Sequence, residues 1–384
     1  AGHAEHSGYL SIGDSPFQDT TIVIQGITTN FITDIIPPDS IQWIYPNGEE
    51  EFNVGENITK VQKKINIISL KLPRYFRSYF ASLAYFYILM KIKPDVVVIF
   101  FAGHGETWPI WLAKKIISFH LTFVAGYPIE TTHHRFLEFR KLGLDLLVDS
   151  VVVKSHFMKK GIQAFFNKPV QVISNGVDTN YFRKKNVANI HNIKDDLGII
   201  SNSVVLLTVA SLEKRKGMIY VIESLERLKQ RGITNIYYII VGDGFERKYY
   251  EGLINTSSVK DQIKLVGSVK DVRPYYSISD LFLLLSYGEG FPNVLLEAWS
   301  MELPVVVSNF SPFLEITNSR NAFSLSVDDK TGLDDLIEHV NQNGEGFRVI
   351  GIENRKKVME DFSWQSVASR YYDNFRLKKL FTGK

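Results

Sequence analysis

The chain has 384 residues, of which 45% are hydrophobic, and its formal net charge is +3. This length suits two domains better than one, and the hydrophobic content is sufficient for two cores. The absence of cysteine excludes disulfide scaffolds and thiolate metal sites, and it fits a reducing compartment. The longest apolar runs fall short of a membrane-spanning helix, and no signal-peptide pattern is expected.

Apolar runs alternate with helical patterns along most of the chain, which is typical of α/β proteins with parallel sheets. The polar residues 1–7 are left out of this interpretation. In the first half we predict helices at residues 74–93, 109–118 and 156–166, and strands at residues 20–26, 41–46, 65–70, 95–101, 121–126, 150–155 and 170–175.

The first half is also basic. Residues 60–170 contain 17 Lys and Arg against 6 Asp and Glu, which suggests either an anionic partner or a solvated basic face. The helix predicted at residues 74–93 is aromatic and apolar and is flanked by cations. It could lie on an anionic membrane surface, or it could be a buried helix with charged ends.

The second half repeats the α/β pattern after residues 181–203, a polar and charged stretch that we interpret as the linker. Strands are predicted at residues 203–210, 235–242, 262–267, 280–286 and 303–309, with helices between them. The helix at residues 218–229 has a regular apolar face. An amphipathic helix with aromatic anchors is predicted at residues 363–380.

The most informative motif is SYGEGFPNVLLEAW, residues 286–299. A buried strand is followed by a glycine-containing loop and then by a helix, and such a helix N-terminus is an anion site. Two carboxylates, Glu289 and Glu297, stand eight positions apart across this junction. Because their charge repels phosphate, we expect them to serve neutral, hydroxyl-rich groups such as the sugar rings of a nucleotide diphosphate sugar.

This string resembles the E-x7-E signature of retaining GT-B glycosyltransferases of family 4. The resemblance implies that Glu289 lies at the donor sugar, in a catalytic role, and that Glu297 binds the ribose. It also implies that backbone groups of the intervening loop line the donor pocket, at Gly290, Phe291, Pro292, Asn293 and Val294.

A second motif, ASLEKRKG at residues 210–217, resembles the G-R-L-x-x-x-K-G motif of the same family. Lys216 matches the lysine that binds donor phosphate, where it stabilises the leaving group. Ser211 stands at the position of the family's arginine, so one phosphate cation is absent there. Arg215 could replace it, although adjacent residues usually point in different directions.

The remaining matches are weaker. Gly242 and Gly244, in VGDGFER, permit close backbone approach to a nucleotide, and Gly267 and Val269, in KLVGSV, match the strand end that contacts the base. Residues 170–182 are similar to the segment that ends the family's first domain. Glu315 is interpreted as mainly structural.

The first half fits the family less well, because the opening strand is followed by a single glycine, Gly26. His104 is our candidate for the family's first-domain histidine and a catalytic role, with Glu106 beside it and His133 and His134 as alternatives. Gly126 and Tyr127 mark the region that matches in sequence.

The resemblance implies a GT-B fold, in which two Rossmann-like, doubly wound α/β domains hold ligand in a cleft between them. We expect an acceptor-side domain at residues 1–180, a donor domain at residues 181–362 and a helix at residues 363–384 that packs back on the first domain. The implied reaction transfers a sugar, with retention, from a nucleotide diphosphate sugar to an acceptor hydroxyl on a glycan, lipid or other small molecule. Lys216 and helix N-termini would stabilise the leaving diphosphate.

The implied partners are the nucleotide-sugar donor as co-substrate and a glycan or lipid-linked acceptor, with no further cofactor, no metal ion and no nucleic acid. We expect a cytoplasmic protein with peripheral contact to an anionic inner membrane face. Three alternatives stay open: a nucleotide-sugar epimerase of the same fold, a catalytically weak nucleotide-sugar binding protein, and a nucleic-acid modifying enzyme. The second is suggested by Ser211 and the short first loop, and the third only by the basic region.

Overall fold

The computed structural model describes residues 22–25, 41–44, 96–99, 104–126, 140–141, 143–184, 190–327 and 329–382, and single residues between 83 and 93. The chain divides into two compact units. The N-terminal unit comprises the described residues up to Ser174 together with those from Val367 onward, and the C-terminal unit comprises Asn175–Ser366.

The N-terminal unit contains one sheet of six parallel strands in the order β2-β1-β3-β4-β5-β6. Strands β3 and β5 are buried along their whole length, as expected for apolar runs in a parallel sheet that is covered on both faces. Each of these strands lies within or next to a predicted one, and the strand predicted at residues 65–70 lies outside the described residues. The strands are β1 (Ile22–Gln25), β2 (Ile41–Ile44), β3 (Val96–Ile99), β4 (His120–Ala125), β5 (Ser150–Val153) and β6 (Val170–Val172).

Three helices follow strands of this sheet: α1 (His104–Ile116), α2 (Leu144–Leu147) and α3 (His156–Gln163). Helix α3 begins where the Ser155 side chain accepts a hydrogen bond from the Met158 backbone N–H at 3.2 Å, a normal N-cap. Helix α1 starts five residues earlier than the predicted helix at residues 109–118, so Pro109 lies inside it. The described residues between 83 and 91 are helical.

The C-terminal unit contains a second sheet of six parallel strands, in the order β12-β11-β10-β7-β8-β9. Counted along the chain, this is the 3-2-1-4-5-6 order of a doubly wound fold, in which the strand order reverses between β7 and β10. The strands are β7 (Val204–Val209), β8 (Ile236–Val241), β9 (Ile263–Gly267), β10 (Leu281–Leu284), β11 (Val305–Ser308) and β12 (Phe323–Leu325).

Helices cover both faces of this sheet. Successive side chains of a strand point to opposite faces, so Leu206 packs in one core cluster and Leu207 in the other. The helices are α4 (Ile190–Asp196), α5 (Met218–Gln230), α6 (Arg247–Thr256), α7 (Arg273–Ile278), α8 (Asn293–Ser300), α9 (Ser311–Leu314), α10 (Lys330–Gln342), α11 (Gly344–Asp361) and α12 (Trp364–Thr382). Two 3-10 turns are formed by Lys214–Lys216 and Lys260–Gln262.

The stretch predicted as a linker, residues 181–203, is partly structured. It contains α4, and Ile193, Leu197 and Ile199 pack in or against a core cluster of the C-terminal unit. The sequence did not predict this helix, because polar and charged residues fill most of Ile190–Asp196.

The division between the units crosses α12. The start of this helix belongs to the C-terminal unit, and just before it the Phe362 carbonyl accepts a hydrogen bond from the Val177 backbone N–H at 2.9 Å. Its later part belongs to the N-terminal unit, where the buried Lys154 ammonium donates to the Tyr371 hydroxyl at 3.0 Å. Burial lowers the pKa of Lys154 to about 7. Among the described residues, no helix has the combined length and apolar character that crossing a membrane requires.

Candidate active site

The loops that follow β7 and β10 meet at the point where the strand order reverses. Gly217, at the end of the first loop, has φ +71°, and a Cβ there would lie 2.2 Å from the Leu285 carbonyl oxygen. Only glycine permits this approach and this backbone conformation without strain. The glycine therefore fixes the β7 loop against the end of β10.

This approach brings together two motifs that lie 73 residues apart. The Lys216 ammonium donates a hydrogen bond to Glu289 Oε1, and the two side chains are only 11% and 16% exposed. Arg215 Nη1 lies 3.9 Å from the same oxygen and donates to the Gly288 carbonyl. Consecutive residues of a 3-10 turn point about 120° apart, yet both long side chains reach Glu289, which the sequence did not lead us to expect.

Glu213 holds Arg215 in place. Its carboxylate accepts from Arg215 Nε at 2.7 Å and Nη2 at 3.1 Å, and it also accepts from the Ser211 hydroxyl. Burial acts to raise the pKa of Glu213, but the hydrogen bonds from Arg215 and Ser211 outweigh it, and the net effect is a lowered pKa. Sequence reasoning missed Glu213, since an acid in a lysine-rich loop carries no distinguishing signal.

Glu297 lies in the first turns of α8, immediately after the same loop. Desolvation by burial raises its pKa to about 7, although the hydrogen bond that Tyr276 donates at 2.9 Å acts in the opposite direction. The same burial and the neighbouring Glu297 carboxyl raise the pKa of Tyr276 well above its ordinary value. Tyr276 was not predicted, because it comes from α7 and matches no motif.

The loop between the two acids packs mainly inward. Pro292 is buried, and Phe291 and Val294 pack against a core cluster, which leaves backbone groups for any ligand contact. The Asn293 side chain accepts a hydrogen bond from the Asn175 amide at 2.8 Å, a contact for which the sequence gave no indication. The Gly290 backbone lies between Glu289 and this inward-packed segment.

The glycines after β8 and β9 allow close packing of the backbone around the β7 loop. A Cβ on Gly242, whose φ is +140°, would lie 1.9 Å from the Ala210 carbonyl oxygen, and a Cβ on Gly244 would lie 2.7 Å from the Leu212 nitrogen. Gly242 also donates to the Gly267 carbonyl at 2.8 Å. These contacts support the β7 loop from the other side, and the roles of Gly242, Gly244, Gly267 and Val269 toward a nucleotide stay a prediction.

Several predicted residues cannot be placed at the site. His104 begins α1, but its side chain and that of Glu106 lie outside the described part of the structure. Gly26, Tyr127, His133 and His134 also lie outside the described residues. Glu315 is exposed and forms the C-terminal cap of α9.

Solved structures of other proteins share the fold of this chain. The solved structure of a glycosyltransferase from Rickettsia africae matches 95% of the chain, and all of its own chain, with a TM-score of 0.70 at 18% identity. Anabaena Alr3699/HepE in complex with UDP and glucose matches 93% of the chain, and 99% of its own, with a TM-score of 0.64 at 15% identity. These likenesses, together with the two parallel sheets, confirm the predicted GT-B fold of two α/β domains.

The sequence comparison is more specific and covers less of the chain. Residues 189–357 match the family described as Glycosyl transferases group 1. The chain is 26% identical over 206 residues to N-acetyl-alpha-D-glucosaminyl L-malate synthase of Bacillus anthracis, which is 53% of each chain. The match thus spans about half the length of that relative. The family match at residues 189–357 includes both the Lys216 and the Glu289 loops.

Proposed function

We propose that the protein is a retaining glycosyltransferase that moves a sugar from a nucleotide diphosphate sugar to an acceptor hydroxyl. The observation that supports this proposal most strongly is the ion pair between Lys216 and Glu289 at the reversal of strand order. Ligands of open α/β sheets bind beside this point, at the carboxyl ends of the strands. The names of the similar proteins favour transfer over epimerisation.

The ion pair would allow a carboxylate to lie beside the diphosphate of the donor. Paired with Lys216 and near Arg215, Glu289 presents little net negative charge to an approaching diphosphate. Its free oxygen would accept hydrogen bonds from hydroxyls of the donor sugar. Lys216, with Arg215 held by Glu213, would neutralise the charge that develops on the leaving diphosphate, an effect of about 3 kcal/mol for one well-placed donor.

The helix N-termini would also stabilise the negative charge of the leaving diphosphate. Helices α5 and α8 both begin immediately after these loops, so their free N–H groups and dipoles favour an anion at this edge of the sheet. With this positive charge supplied by the protein, we propose that transfer needs no metal ion. An oxygen of the departing diphosphate would take the acceptor proton on the same face of the sugar, which retains the anomeric configuration.

Glu297 would bind the ribose. A carboxylate can accept from the two vicinal hydroxyls of a ribose, and Tyr276 holds one of its oxygens in place. Other contacts in the pocket would determine which base and which sugar the donor carries. Uridine diphosphate sugars are the first donors to test, because the similar HepE structure contains UDP and glucose.

The test uses the full chain and measures both binding and turnover. Nucleoside diphosphates and their sugars are screened by thermal shift, where a ligand at one hundred times its dissociation constant adds about 2.7 kcal/mol of stability. Release of nucleoside diphosphate is then followed with an acceptor panel of glycans and lipid-linked glycans, with and without a chelator. The anomeric configuration of the product is read by NMR.

Variants at the site make the test specific. Lys216→Met and Glu289→Gln should each lower turnover at least 100-fold. The controls Lys260→Met and Glu360→Gln change exposed residues elsewhere in the unit and should retain full activity. If no nucleoside diphosphate or nucleotide sugar shifts the melting temperature, or if Lys216→Met turns over normally, the proposal is wrong.

A further inference from the structure

Several exposed apolar side chains lie on two neighbouring helical segments of the N-terminal unit. Leu83, Tyr87 and Trp111 are 38%, 58% and 47% exposed. We call them, with the exposed cations Lys91, Lys93 and Lys115, the aromatic–basic patch. None of these side chains has a role in the proposed transfer reaction.

The two helical segments that carry the patch are in contact with each other. Phe86 stacks against Trp108 with a ring separation of 6.3 Å, so the segment at 83–91 lies beside α1. Leu83, Tyr87 and Lys91 are spaced by four residues and share one stripe of their helix, and Trp111 and Lys115 share one stripe of α1. The opposite faces hold Leu89, Ile110 and Ala113, which are fully buried.

Charge and amphipathic character point to the kind of partner. The Lys115 ammonium lies 5.3 Å from the centre of the Trp111 ring, so an apolar ring and a cation are presented together. Tyr, Trp and Lys side chains of this kind suit a lipid–water interface, where rings enter the headgroup region and ammonium groups stay at the phosphates. The excess of cations in residues 60–170 favours an anionic surface.

We propose that the aromatic–basic patch docks the protein on an anionic lipid surface. Trp111 and Tyr87 enter the headgroup layer, and Lys91, Lys93 and Lys115 contact lipid phosphates. A protein partner or a second copy of this chain would not require cations around the rings, and these occupants are separated by the test. The inference does not depend on the transferase proposal, because lipid binding needs neither a nucleotide nor turnover.

The experiment measures sedimentation of the full chain with vesicles of phosphatidylglycerol and phosphatidylcholine, compared with pure phosphatidylcholine vesicles. Binding should require the anionic lipid and fall with added salt. The double variant Lys91→Gln/Lys115→Gln should bind roughly 30-fold more weakly, since each lysine near an anionic surface contributes about fivefold. The matched control Lys248→Gln/Lys356→Gln, which removes two exposed lysines of the C-terminal unit, should bind as the parent does.

Brominated lipids, which quench tryptophan fluorescence, then test whether Trp111 lies at the lipid surface. They should quench part of the tryptophan fluorescence of the parent protein, and Trp111→Phe should lose that quenching while still binding vesicles. Equal binding to pure phosphatidylcholine, unchanged binding of the lysine double variant, or unchanged quenching in Trp111→Phe would each overturn the proposal. A dimer in solution that dissociates in Trp111→Glu would overturn it as well and assign the patch to a second copy of the chain.

Discussion

Glu297 links the chemistry of the candidate site to the stability of the C-terminal unit. Its pKa of about 7 means that the folded protein keeps a proton that the unfolded chain loses near pH 4.5. Between these two values the native state binds more protons than the unfolded state. The free energy of unfolding therefore falls as the pH rises from about 4.5 to 7, by up to ~3 kcal/mol from this group.

The change Glu297→Gln should remove this contribution. We expect the variant and the parent to have similar stability near pH 4.5, and the variant to be more stable at pH 8, where the parent must bury an ionised carboxyl. The measurement is urea unfolding of both proteins at several pH values, and the difference between them isolates this group from all other titrations.

Tyr276, whose hydroxyl donates a hydrogen bond to Glu297, provides a control. Tyr276→Phe removes the interaction that lowers the pKa of Glu297, so the fall in stability should extend above pH 7 in that variant. Parallel stability curves for the parent and Glu297→Gln across pH 4.5–8 would contradict the assignment.

The loop that carries Lys216 depends on one glycine at the end of its 3-10 turn. Gly217 combines a left-handed backbone with a position where a Cβ would meet the Leu285 carbonyl at 2.2 Å. Gly232 has a similar φ of +83°, but a Cβ there would meet no atom within 4 Å. Alanine substitutions at Gly217 and Gly232 therefore separate the cost of backbone strain from the cost of steric overlap.

We expect Gly232→Ala to cost about 1 kcal/mol, the strain of a left-handed residue. Gly217→Ala should cost about 2 kcal/mol more, because the β7 loop must move away from β10, and it should also separate Lys216 from Glu289. Chemical unfolding gives the stability change, and nucleoside diphosphate binding reports the loop. Equal costs at the two positions, with binding retained, would show that the close approach to Leu285 does not matter.

At the scale of the whole molecule, the strands were predictable and several of the contacts were not. Strands β8 and β10 are continuous apolar runs, and β7 is interrupted only by Thr208, so their burial on both faces leaves a direct signal in the sequence. Short β12, with its mixed Phe323–Leu325 run, has no such signal and was missed. Helix α4 was not predicted, because Ile190 and Ile193 are the only apolar residues in it.

The sequence predicted those residues of the candidate site that lie in its motifs. The motifs named Lys216 and Glu289, and the fold brings them into contact. Tyr276 and Asn175 support functional candidates through single hydrogen bonds between distant segments, whereas Glu213 holds Arg215 within one loop. Such contacts depend on how loops are placed on the sheet, and one sequence without its relatives carries no record of that placement.

The two units should unfold in separate steps. Each hydrophobic cluster of the described residues lies within one unit, with Val151 and Phe123 in one core and Ile239 and Phe282 in another. Proteins with separate cores often depart from a single cooperative transition. We therefore expect calorimetry of the full chain to resolve two transitions, of which a nucleoside diphosphate raises only one.

Core substitutions identify the transitions. Ile239→Val removes one methylene from the C-terminal core and should lower one melting temperature, at a cost of about 1 kcal/mol, while Val152→Ala in β5 should lower the other. A saturating diphosphate at one hundred times its dissociation constant should raise the transition that Ile239→Val lowers by about 5–10 °C, because Lys216, Glu289 and Glu297 all belong to that unit. A ligand that instead raised the transition sensitive to Val152→Ala would place its binding energy in the N-terminal unit and contradict the donor role assigned to these three residues.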